Sequence, residues 1–151
     1  MQVLFTVLIV VQFVLVTFHD LVTIPGWSRG DRVREVVGTR RLWAITLANG
    51  LFPGFAALLA LQFAQARPPT WALSYWWIYC AVTVGLAAWM WYVPYVFGTD
   101  PERSNEYARM YEGTHQLLPA RGDHPRPNLL HVLFHVLFVV NLGLALTLRF
   151  G

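Results

Sequence analysis

Four apolar stretches without a charged side chain constrain this chain more than any other feature. Crossing the hydrocarbon core of a bilayer takes roughly 20 consecutive apolar residues. Residues 2–18, 42–66, 71–97 and 129–148 approach or exceed that length, and none contains Asp, Glu, Lys or Arg. Only 13% of the whole chain is charged, against about 25% in soluble domains. The expected fold is an all-α integral membrane protein: residues 1–151 as one four-helix transmembrane bundle, with short interfacial helices in its loops. The first stretch has no positive charge before it and no small-x-small cleavage site after it, so it is expected to remain in the mature protein.

The arginines give the bundle a direction. All 11 cationic residues are arginine. Arg29, Arg32, Arg34, Arg40 and Arg41 fall in loop 19–41, and Arg103, Arg109, Arg121 and Arg126 in loop 98–127. Only Arg67 and Arg149 lie elsewhere. A bias of nine to two in short loops places loops 19–41 and 98–127 in the cytoplasm and both termini outside. The setting expected is a bacterial inner membrane. On this reading the net charge of +3 is a topology signal and not a nucleic-acid footprint. Cys80 is the single cysteine, which excludes an intramolecular disulfide and a thiol-redox pair of the vitamin K epoxide reductase kind.

The two cytoplasmic loops carry structure of their own. "TDPERSNEYARMYEG" reads as a short helix capped by Asp100, with Pro101 in the first turn and Gly113 at the end. Tyr107, Met110, Tyr111 and Thr114 recur at spacings of three and four, a stripe expected to lie on the membrane surface. "DRVREVVG" reads as a smaller helix from Asp31 to Gly38. Within the second span, Gly50 and Gly54 flank Pro53, which points to a kink or to close packing inside the bundle before a dimer seam.

Nearly every ionisable side chain suited to chemistry is expected at the cytoplasmic level. The first span ends at His19 and Asp20. The second carries Asn49 about two turns deep, and the third brings Tyr92. The long loop supplies Glu112, His115, Arg121, Asp123, His124 and Arg126. Asn128 is a natural cap for the fourth span, which contains His131 and His135 on one helical face. Ionisable groups inside a membrane are uncommon and usually face the bundle interior.

Three readings follow. In the first, the cluster is a ligand-binding or catalytic site for a lipid or isoprenoid-like amphiphile with an anionic head. Arg121, Asp123, His124, Arg126 and Asn128, with Asn49 and Tyr92, then form the binding site, and His19, Asp20, Glu112 and His115 serve as acid or base. In the second, His131 and His135 bind zinc or iron, with His19, Asp20, Glu112 or His115 completing the shell; a haem is disfavoured, because only His19 could oppose His131. In the third, the chain is a non-catalytic accessory or assembly subunit of a larger membrane complex, and the polar cluster ties loops to bundle. Membrane lipid is a partner in all three. Transport is the weaker option, since no Asp or Glu lies inside any span.

Overall fold

The computed structural model describes residues 1–151 and is mostly helical. Six helices follow in chain order: α1 (Gln2–Phe18), α2 (Gly30–Val37), α3 (Thr39–Gln62), α4 (Thr70–Phe97), α5 (Pro101–Met110) and α6 (Leu129–Phe150). A two-residue hairpin, β1 (Thr23–Ile24) with β2 (Ser28–Arg29), stands between α1 and α2. Three helices, α3, α4 and α6, are long and apolar enough to cross a membrane. The first has 17 residues, about 26 Å at 1.5 Å per residue, a little short of a hydrocarbon core of about 30 Å.

The run free of charge misplaces α3. That helix begins at Thr39, so Arg40 and Arg41 lie in its first turn, and it ends at Gln62 rather than residue 66. The Gln2 side chain explains the early end. It reaches across from α1 and donates to the carbonyls of Phe63 and Ala66 (2.7 Å to the latter), just past the last turn.

α1 packs against α3 on one side and α6 on the other; α4 packs against α6 and closes the bundle through a thinner contact with α3. Gly50 and Gly54 let α3 approach α1. A Cβ on either would stand 3.1 Å from Thr17 or 3.2 Å from Phe13, so this pair is packing inside the bundle. Trp76, fully buried, donates from Nε1 to the Ala56 carbonyl (3.2 Å) and fixes α4 to α3 at one end. Deep in the bundle, Asn141 of α6 donates to Gln12 Oε1 of α1 (2.6 Å), and Gln12 donates to the Tyr79 hydroxyl of α4 (2.7 Å). Toward the other end α3 and α4 separate, leaving a cleft between them.

A cap of loops and short helices closes that end. Val33 and Leu42 pack with Trp91, Met110 and Tyr111 into a small core of their own. The stripe on α5 therefore turns inward: Met110, Tyr111 and Thr114 are each 9% exposed or less. The expectation that it lies on the membrane surface is corrected, because Trp91 and α2 offer those side chains a drier contact than an interface. α2 begins at Gly30, one residue before the expected Asp31.

Candidate functional site

The cleft between α3 and α4 widens beneath the cap into a chamber of about 460 Å³, and its histidines come from the end of α1 and from α6. His19 terminates α1. Its Nδ1 lies 3.0 Å from the Val16 carbonyl, one turn back. A carbonyl can only accept, so Nδ1 carries a proton, which leaves Nε2 as the ring nitrogen that can offer a lone pair. Asp20 follows directly, with Oδ1 3.3 Å from His19 Nε2.

His131 arrives from the other side, and Asn128 aims it. Asn128 is 1% exposed. Its Nδ2 donates to the Trp27 carbonyl (3.2 Å), which identifies the other amide atom as oxygen. That Oδ1 accepts from the His131 backbone N–H (3.0 Å), the cap expected from sequence, and also faces His131 Nδ1 at 2.8 Å. Nδ1 of His131 is thus the protonated nitrogen, and Nε2 is left with no hydrogen bond. One donor atom each from His19, Asp20 and His131 falls within 4.8 Å of the others.

The aromatic walls depend on an irregularity in α4. Residues Ala88–Tyr92 form a π-helical turn, closed by the Val93 N–H on the Ala88 carbonyl. Pro94 supplies the local cause, since it has no N–H to offer the carbonyl four residues back. That carbonyl, of Met90, instead accepts from Arg103 of α5 (3.4 Å). The extra residue in the turn rotates Trp91 onto His131, with ring centroids 4.2 Å apart. It also brings the Tyr92 hydroxyl to His135 Nδ1 (3.3 Å). Tyr111 covers the chamber from the cap, its hydroxyl 3.5 Å from Asp20 Oδ1. Burial, and then the neighbouring Asp20 charge, hold the Tyr111 phenol well above its ordinary range, so it stays a neutral donor.

The expected site residues separate into two groups. His19, Asp20 and His131 come together. His131 and His135 are 3% and 6% exposed, so both rings face inward, but His135 stands apart with its centroid 6.0 Å from that of His131. It is held by Tyr92 and not by Asn49, whose side chain lines the cleft without a hydrogen bond.

The long-loop residues are engaged elsewhere. The His115 ring lies over Gly26, where a Cβ would collide with Nε2 and φ is +77°, so glycine is needed there on both counts. The His115 backbone donates to the Gly26 carbonyl and accepts from Leu129 N–H, both at 2.7 Å. Glu112 is exposed, 3.9 Å from Arg32. Arg121 lies over the Tyr95 ring, Arg126 donates to the Leu118 carbonyl (3.3 Å), and His124 Nδ1 meets the Tyr95 carbonyl (2.9 Å). The Asp123 carbonyl accepts from the Ser104 hydroxyl. Glu112, Asp123, His124 and Arg126 border a separate polar hollow of about 350 Å³, beyond Tyr107 and Tyr111. The start of α6 is closed by its own cap, and the two arginines before it are not assembled as an anion cradle.

Trp91, Tyr111, Tyr107, Arg41 and Glu106 also line the chamber, although the residue pattern does not single them out as site residues. Pro94 is the available signal for the first of them. No family model, curated protein or solved structure matches the chain.

Proposed function

We propose that this is a four-span membrane protein, with its cap in the cytoplasm, that binds an amphiphile with an anionic head in the cleft between α3 and α4. The continuity of that cleft carries the reading. A slot of about 410 Å³ lined by Phe52, Ile78 and Val82 shares Val16, Asn49, Thr83 and Leu86 with the chamber that holds the His–Asp cluster. A hydrocarbon tail lies in the slot. The head reaches the chamber, where Arg41, 3.3 Å from Glu106 at the rim, supplies positive charge and His19 and Asp20 act as acid or base. Arg41 thus takes the role first expected of Arg121 and Arg126. The mismatch of α1 with the bilayer is a few ångströms, which tilting and local thinning accommodate.

Filling the slot tests the reading. Thr83→Trp should remove the anionic lipid that copurifies with the detergent-solubilised wild type, as read by mass spectrometry, while helicity is kept. An unchanged lipid profile would defeat the amphiphile and leave the accessory-subunit reading, whose mark is aggregation without a partner. Orientation has its own test. Ser28 and Ser104 are unsuitable labelling sites, being only 4% and 5% exposed, whereas Asn105 and Gln65 are both exposed. Cys80 is fully buried and gives little background. In intact cells a membrane-impermeant thiol reagent should label Gln65→Cys and spare Asn105→Cys; the opposite pattern inverts the topology.

A further inference from the structure

We infer that His19, Asp20 and His131 bind one divalent transition-metal ion, and that zinc is the ion their donor set fits. The inference rests on the same chamber but not on the amphiphile, and its test is read in metal, so either can fail alone.

The first ground is spacing. Ligand atoms around a tetrahedral zinc stand about 3.4 Å apart when the bonds are near 2.1 Å. His19 Nε2 and Asp20 Oδ1 are already 3.3 Å apart. No separation within the group exceeds 4.8 Å, so closure onto an ion takes about an ångström of side-chain rotation.

The second ground is the state of the donors. Both imidazoles have Nδ1 committed to an oxygen, the Val16 carbonyl for one and Asn128 Oδ1 for the other. Such partners fix the tautomer and the ring plane of histidines that ligate through Nε2. His131 is 3% exposed, its Nε2 unpartnered and directed into the chamber. In the neutral ring the His19 Nε2 lone pair faces the Asp20 carboxylate at 3.3 Å, a spacing that a bridging cation fits. Tyr111 donates to the same carboxylate oxygen at 3.5 Å.

The third ground is the open side. Three protein ligands leave a fourth position toward the chamber, the pattern of zinc sites that handle a ligand rather than of closed structural sites. His135 falls outside the group whose donor atoms lie within 4.8 Å of one another, its ring centroid 6.0 Å from that of His131.

The full chain, purified in detergent with any affinity tag removed and then stripped with chelator, is dialysed against Zn²⁺ alone. Elemental analysis should find one zinc per chain. Asp20→Asn and His131→Ala should each weaken binding by more than tenfold, and His135→Ala should bind as wild type. Tyr111→Phe should show a smaller loss than Asp20→Asn or His131→Ala, because Tyr111 orients a ligand and does not supply one. Co²⁺ in place of zinc should give visible ligand-field bands that vanish in the first two variants. Circular dichroism establishes that each variant is folded. Asp20 lies in the turn after α1, so Asp20→Asn decides the matter if His131→Ala does not fold. Absence of stoichiometric zinc in folded wild type overturns the site, as does equal loss in His131→Ala and His135→Ala. Stoichiometric iron(II) in the protein before stripping, with no zinc taken up afterwards, would keep the residues and overturn the choice of ion.

Discussion

Two polar clusters are buried in this bundle, and they differ in what they leave unused. Deep among the spans, Asn141, Gln12 and Tyr79 join three helices through neutral amides and a hydroxyl. Both amides are fully buried, and the single loose end is Asn141 Oδ1. Under the cap, His19, Asp20 and His131 also join two helices, but their free atoms face a chamber. In a low-dielectric interior a polar group that meets its neighbours acts as glue, whereas one with an unused lone pair beside open space has the geometry to meet a ligand. Burial alone does not separate the two classes, since His131 is nearly as buried as Gln12. The direction of the unused atom does.

Gln12→Ala should have the largest effect on stability. It strands both the Asn141 amide and the Tyr79 hydroxyl, at about 2–3 kcal/mol, measured by reversible unfolding in mixed detergent. Zinc and lipid content of the folded fraction should be unchanged. A loss of zinc in that variant would break the distinction, since it would mean that the deep network also sets the site.

Asn128→Ala should fall between the classes. The residue is at once the cap of α6 and the anchor of the His131 ring. Loss of the cap costs about 1–2 kcal/mol, and zinc affinity should drop in the same protein. Stability lost with affinity intact would show that Asn128 only ends the helix.

The smallest effect should come from outside both clusters. The Asp31 carboxyl is held below its ordinary value of 3.8, first by hydrogen bonds from Arg29 and then by the Thr23 hydroxyl. A depressed carboxyl stabilises the fold fully above its ordinary value and loses that contribution as pH falls below it. Asp31→Asn should therefore lower Tm slightly near neutrality and converge on the wild type as the pH falls, which flattens the acid side of a Tm-against-pH curve. Because the pair is exposed, salt should weaken the effect. A large change at neutral pH would mean that the hairpin is a third cluster in its own right.

Much of this architecture is legible in the order of residues. The apolar runs mark the long helices, since a stretch free of charge is read residue by residue. Asp100 and Asn128 are identifiable as caps because a cap acts on N–H groups only two or three residues ahead; both accept the expected bond, from Arg103 N–H and His131 N–H. Gly38 ends α2 as anticipated, with φ +78°, whereas α5 closes at Tyr111, before the expected Gly113. The pairing of His131 with His19 or Asp20 follows from depth along the spans.

The chain's own pattern therefore settles whatever is carried by contacts within one or two helical turns: which segments are helices, where they are capped, and at which level the ionisable groups collect. Which of those groups share a cavity is settled by tertiary packing instead. His131 meets residues more than a hundred positions away, and its helical neighbour His135 is drawn off by Tyr92 through the π-helical turn in α4. The α5 stripe is legible as apolar, but whether it faces lipid or Trp91 depends on how the cap folds back. Such choices rest on packing between distant segments, where a shift of one residue in a turn redirects a side chain, and no local pattern in the chain encodes that rotation.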